Sequence, residues 1–384
     1  AGDFRKGVMR LENVRRGGLV SQIATAARNL SSGAIRVPLE GLGNVMDTAI
    51  YEFSQPIRGG ITDPKGGFLG AGRQLFSGEN WKGSFSNWKY AFSRPDVAKG
   101  YTKLILGQPE LAKQFDTMFN NINEIQRLTG RGTGTKFDKV MSVAEDVVDT
   151  LNTPNRWQEF LIRRGQFFGE LERLTKREYN ADLLDMLNEG KLKDLLNDAS
   201  SVRPKGAPSF TDLIDRSIYR AMDVTYAKQP DVPVFRSVSS FITRNGLTVI
   251  VPFPRFMFNS MELMAQYGAG SSLPLTRKIM SVVKKDIRGP MTDFERQAVT
   301  RNLMGIAAVG AAYMYRTSDD VSPDSEMITV GEKAQIDTTA TYPLAQILWA
   351  GDATKHLVRG TFDNWFNARN FADLFVGVNL RTGV

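Results

Sequence analysis

Apolar residues recur at helical spacing through most of this 384-residue chain. The clearest run is 136–151, where Phe137, Val140, Met141, Ala144, Val147, Val148 and Leu151 follow an i, i+3, i+4, i+7 pattern. That spacing places them on one helix face, with Glu145, Asp146 and Asp149 on the other. Thr153-Pro154 ends this helix and caps a second over about 154–178, because proline is accepted in a first turn but not in a helix interior. The second helix is expected to bury Trp157, Phe160, Leu161, Phe168, Leu171 and Leu174. Glu159/Arg163 and Glu172/Lys176 stand in the favourable i, i+4 order on its surface.

Weaker helical spacing covers 11–30 and 42–54, interrupted by glycines, and the glycine-dense stretch 56–80 permits only short helices. Further helices are predicted over 210–228, 254–268, 274–287 and 291–316, and through a tail carrying Trp349, Trp365 and Phe375. The stretch 200–209, SSVRPKGAPS, reads as a linker, with two prolines, a glycine and no large apolar residue. Asn245-Gly246 precedes the β-branched run 247–251, which is either a short strand or a buried extended connector. Met327–Val330 and Ala334–Ile336 flank Gly331 and read as a hairpin. The predicted fold is therefore mainly α, built of bundle-like multi-helix units with one short β-hairpin near 326–337. Its expected organisation is a basic, glycine-rich region (1–135), a long-helix pair (136–200), the linker (201–209), a basic apolar region (210–316) and an acidic loop, hairpin and tail (317–384).

Composition narrows the chemistry. An apolar fraction of 42% with 23% charged residues is that of a globular chain, which excludes wholesale disorder. The chain has no cysteine, so disulfide scaffolds, thiolate metal sites and cysteine catalysis are excluded. Its single histidine, His356, rules out histidine-rich metal clusters and leaves little room for a Ser-His mechanism. The start at Ala1-Gly2-Asp3, without methionine, reads as that of a piece of a longer polypeptide.

The net charge of +8 hides blocks of opposite sign. Residues 1–36 carry seven basic and two acidic side chains, 233–316 eleven and four, and 317–353 one and seven. Basic blocks of this kind meet phosphate, as lipid headgroup or DNA, or dock on acidic parts of a larger assembly. Arg15, Arg16, Arg277, Lys278, Lys284, Lys285 and Arg288 are the candidate phosphate contacts.

Two segments are unusually apolar. Leu303–Tyr315 (LMGIAAVGAAYMY) is thirteen residues long, short of the roughly twenty that cross a bilayer. It is a core helix, an interfacial helix, or a span that exists only with partner helices, and Ala307/Ala311 and Ala308/Ala312 would let another helix approach closely. The second segment, 252–268, is apolar over most of a helical circumference and has basic flanks, as in helices that lie on membranes or are buried in bundles. The membrane-contact candidates are Phe253, Phe256, Met257, Phe258, Met261, Met264, Tyr267, Leu303, Met304, Ile306 and Val309.

Catalytic motifs fail on inspection. Gly130–Lys136 lacks the spacing and the preceding strand of a phosphate-binding loop. Ser86-x-x-Lys89 and Ser281-x-x-Lys284 have none of the companion motifs of serine acyl-enzymes. Asp319, Asp320, Asp324 and Glu326 lack EF-hand spacing. No catalytic residue, metal ligand or cofactor is assigned, and the chain is read as non-enzymatic. A polysaccharide-cleaving site would need a lone Glu262 or Glu295 of raised pKa in a cleft.

Four stretches carry a resemblance: 152–164 (NTPNRWQEFLIRR), 252–259 (PFPRFMFN), the small-residue helix 303–315, and 336–348 (IDTTATYPLAQIL). Their order resembles regions of very large internal core or ejection proteins of short-tailed, marine-type phages. The resemblance implies a virion location and action at the host cell envelope, where such proteins build a conduit during genome delivery. It further implies contacts with other virion subunits or the rest of the same polypeptide, with host membrane, with DNA, and with further copies as a homo-oligomer. A nucleic-acid-binding virion protein and a peptidoglycan-cleaving virion enzyme are the alternatives left open.

Overall fold

A computed structural model describes residues 23–54, 72–73, 75–85, 153–196, 203–204, 207–225, 228–245, 257–259, 261–263, 293–318, 321–324, 327–330, 334–338 and 343–367. In chain order the elements are α1 (Ile23–Ser54), α2 (Gly78–Ser84), α3 (Thr153–Tyr179), α4 (Leu183–Asn188), α5 (Lys191–Leu196), α6 (Phe210–Val224), α7 (Pro233–Arg244), α8 (Asp293–Thr317), β1 (Met327–Val330), β2 (Ala334–Asp337), α9 (Leu344–Val358) and α10 (Phe362–Trp365). The fold is mainly α, and the sheet among the described residues is one antiparallel hairpin. The helix expected over 136–151, the run 247–251 and the helix expected over 274–287 lie outside the described residues. The chain forms two compact units, one from Ala1–Leu30 and Gly83–Phe256, the other from Ser31–Lys82 and Met257–Val384.

In the first unit α3 lies along α6, and α4 and α5 close the same core. Phe167, Phe168, Leu171 and Leu174 of α3 face Phe210, Leu213, Ile214, Ile218 and Ala221 of α6. Phe167 and Phe168 meet edge to face at 4.9 Å, and Tyr179 meets Phe210 at 6.1 Å. The turn out of α3 places Asn180 at φ 51°, and Gly190, between α4 and α5, takes φ 72°. Asn and Gly are the residues that reach this left-handed region at least cost.

The stretch read as a linker belongs to this unit where it is described. Ala207 is buried, Tyr179 donates its hydroxyl to the Pro208 carbonyl at 2.8 Å, and Ser209 caps α6 in a reciprocal box with Asp212. Such a cap contributes about 1 kcal/mol. Where it is described, the stretch is a packed turn instead of a spacer, the Ala207 amide donating to the Pro204 carbonyl at 3.0 Å. α6 stops at Val224, four residues before the predicted end, and α7, which the sequence did not suggest, begins with Pro233 in its first turn. Phe160 was expected inside but is exposed. Arg163 Nε donates to Thr225 Oγ1 at 3.0 Å, so α6 ends beside Arg163 and Phe160 lies about a turn beyond it.

In the second unit α8 and α9 pack closely. Ala312, Ile347 and Leu348 form their core, bordered by Ala308, Tyr315, Ile328 and Leu344. The approach is tightest at Gly351, where an added Cβ would stand 2.6 Å from the Ala312 Cβ and 2.7 Å from the backbone of Ala312 and Tyr313. On another side of α8, a Cβ added at Gly43 would meet the Met304 sulfur at 3.2 Å, so α1 nests against it. α1 runs unbroken through 31–41, with Pro38 inside it, where the sequence suggested a gap. Burial of Arg36, Val37, Glu40, Asn44 and Val45 over consecutive turns outweighs the hydrogen bond that proline removes.

The hairpin pairs Met327 with Asp337 and Val330 with Ala334. It is tied to α8 and α9 through Arg316, which is 1% exposed. The guanidinium donates to the Ser322 carbonyl at 3.1 Å and reaches Asp352 at 3.5 Å, while Tyr315 Oη accepts from the Thr329 amide at 2.8 Å. His356, in the last turn of α9, stacks on Trp365 of α10 at 5.0 Å.

Candidate interaction surfaces

The apolar run of α8 divides by face. Met304 and Ala312 turn inward with Arg296, Thr300, Arg301 and Arg316. Leu303, Ile306 and Met314 turn out, Ile306 and Met314 being 61% and 68% exposed, and Ala307, Gly310 and Ala311 lie between them in the open. Positions 303, 306, 307, 310, 311 and 314 follow helical spacing, so they form one stripe along the helix. Among the described residues no helix is long and apolar enough to cross a membrane.

Of the predicted membrane contacts, Leu303 and Ile306 lie on the stripe and Val309 is half-buried. Met304 and Phe258 are corrected, because both are buried in the second unit. Leu303 and Met304 are neighbours in sequence but about 100° apart around the helix, a separation that an unbroken apolar run conceals. Met257 and Met261 are half-buried. Phe253, Phe256, Met264 and Tyr267 lie outside the described residues, as do Arg15, Arg16, Arg277, Lys278, Lys284, Lys285 and Arg288.

Several buried titratable groups are held in ion pairs. Arg296, 2% exposed, donates to Asp47 at 2.6 Å and lies over the Tyr51 ring. In the first unit Arg173 grips Glu170 with two hydrogen bonds of 2.7 and 2.9 Å. Burial alone would raise the Glu170 pKa, but Arg173, with Arg220 and Arg177 nearby, holds it at about 2. A carboxyl depressed from 4.5 stabilises the fold above that value and loses this contribution as pH falls towards 2. Glu170→Gln is therefore expected to cost on the order of 3 kcal/mol at neutral pH and to flatten the acid limb of stability below pH 4.5. Thermal unfolding of both proteins between pH 7 and 2 measures this, and parallel acid limbs would refute it.

Lys228 stands 2.8 Å from Asp223 and 2.8 Å from the Tyr219 hydroxyl, and also pairs with Asp231. Burial lowers its pKa, but Asp223 and its other partners more than offset this and raise it above the ordinary lysine value. Burial pushes Tyr219 up to about 12, against the opposing pull of Lys228. Neither group is then a base near neutral pH. Together they fix the chain between α6 and α7. Glu262 is buried, and the Glu295 side chain lies outside the described set. Burial lowers the His356 pKa, with Asp352 opposing. Among the described residues no cluster of His, Asp and Glu is arranged to hold a metal.

Fold and surfaces together define a mainly α, two-unit protein with an outward apolar helix face. No protein-family model, curated protein or solved structure matches the chain.

Proposed function

We propose that this chain is a structural, non-catalytic segment of an internal virion protein, associating with a membrane surface or with partner subunits during genome delivery. The observation that carries the reading is the stripe on α8. Three large apolar side chains and three small residues share one exposed face, and fully burying a chain the size of Ile306 is worth about 1.5–3 kcal/mol. A helix with such a face, too short in apolar length to span a bilayer, suits interfacial contact or subunit packing.

Co-sedimentation of the full chain with anionic and neutral vesicles, at low and high salt, tests the membrane contact. Binding retained at high salt is expected, since apolar insertion is not screened, and Ile306→Asp should weaken it about tenfold or more. Vesicle binding that vanishes at high salt, or is unmoved by Ile306→Asp, would overturn the membrane role of the stripe.

A further inference from the structure

Helix α7 has a surface that neither its sequence nor the stripe on α8 anticipates. Phe235, Ser239 and Ile242, at i, i+4 and i+7, form its inward line, with Ser239 at 1% and Ile242 at 9% exposure. The adjacent line, Val234, Val238 and Phe241, has the same spacing but is 65%, 39% and 58% exposed. Val232, just before the helix, is exposed as well. A helix lying on a protein normally fills such a neighbouring line with polar side chains.

The other flank of that line is basic and hydroxyl-rich. Arg236, Ser237, Ser240, Arg244 and Asn245, with Phe241, line a surface groove of about 580 Å³. The Arg236 guanidinium is set at its edge by hydrogen bonds to the carbonyls of Pro230 (2.9 Å) and Asp231 (3.3 Å). No acidic residue occurs within α7. Asp231, the nearest carboxylate in sequence, is paired with Lys228 and accepts from the Tyr219 hydroxyl at 2.8 Å. The groove thus offers guanidinium and hydroxyl donors beside an aromatic ring, bordered by an aliphatic line.

We propose that α7 docks on anionic lipid, with phosphodiester headgroups held by the groove of Arg236, Ser237, Ser240 and Arg244 while Val234, Val238 and Phe241 enter the acyl boundary. Charge complementarity selects the partner, because guanidinium donors match phosphate and α7 contributes Arg236 and Arg244 and no acidic residue of its own. Nucleic acid presents the same phosphate, but Val234 and Val238 would stay in water on its backbone. On a bilayer they are removed from it. This inference rests on the reading that the chain meets a membrane, and adds the site and lipid class.

The chain lacks cysteine, so Phe241→Cys and Ile306→Cys each accept one environment-sensitive dye, and the two helices can be followed separately in the full chain. With phosphatidylglycerol-containing vesicles the dye at 241 should shift to the blue, and pure phosphatidylcholine should bind at least several-fold more weakly. Arg244→Gln and Ser237→Glu should each weaken the anionic binding about tenfold at unchanged helical circular dichroism. A shift at 306 with none at 241 would remove α7 as a contact and leave the membrane reading standing. No shift at either position would remove both. Equal response to neutral vesicles, a shift produced by duplex DNA in place of lipid, or a shift that grows with protein concentration without vesicles would each overturn the proposal. The last would assign the face to a second copy of the chain.

Discussion

Asp47→Ala is expected to destabilise the second unit by about 3–5 kcal/mol, because it takes the carboxylate from a guanidinium held in the interior. Arg296 is 2% exposed and its 2.6 Å hydrogen bond to Asp47 joins α8 to α1. The Tyr51 ring, 5.2 Å from the guanidinium, remains but replaces only part of the lost interaction. Asp47→Asn keeps an acceptor oxygen and should cost less. The double change Asp47→Ala with Arg296→Met should recover most of the loss, since the cost of breaking a buried pair lies largely in the charge left behind. Chemical denaturation of the wild type, Asp47→Ala, Arg296→Met and the double variant closes the cycle. A cost below about 1 kcal/mol for Asp47→Ala would place this pair with surface ion pairs instead.

The second large effect concerns volume. Gly351→Leu should cost several kcal/mol, above the ordinary 1–3 kcal/mol range for overpacking, because the first atom added already falls on a neighbouring helix. The contacts of 2.6 and 2.7 Å at Ala312 and Tyr313 are shorter than any carbon tolerates, and two of the three involve backbone. Gly351→Ala should therefore be damaging too, and Ala312→Gly should fail to rescue it, since removing a methyl leaves the backbone atoms in place. Melting temperatures of the single and double variants measure this. Full rescue would mean that the helices meet through side chains alone.

These contacts were not legible in the sequence, whereas several elements were. α3 announced itself by its apolar spacing and by Pro154, α8 by its long apolar run, and the hairpin by β-branched residues on either side of Gly331. Those signals are local and survive tertiary context. α1 did not, because Pro38 and scattered glycines suggest a break that only burial against α8 overrides. α7 was hidden for a related reason. Its apolar positions fall on two adjacent lines, one inward and one outward, and they blur the single stripe that periodicity detects. The α8 stripe was half legible: the run identified the segment, but Leu303 and Met304 look alike until Gly43 places Met304 inside. The ion pairs were opaque, as Asp47 and Arg296 stand 249 positions apart and nothing local links them.

That separation has a bearing on how the protein is made. The second unit is assembled from Ser31–Lys82 and Met257–Val384, with Gly83–Phe256 of the first unit spliced between. Closing a chain loop of this span costs roughly 5 kcal/mol in entropy, and prior collapse of the intervening stretch shortens the effective loop. At translation rates of about 5–20 residues per second, Asp47 leaves the ribosome roughly 12–50 s ahead of Arg296. Throughout that interval the α1 segment carries Val37, Val45 and Ala49 together with Arg36, Glu40 and Asp47, and its partner helix has not been synthesised. The α1–α8 pairing through Asp47 and Arg296 can therefore form only after the whole insert has been made.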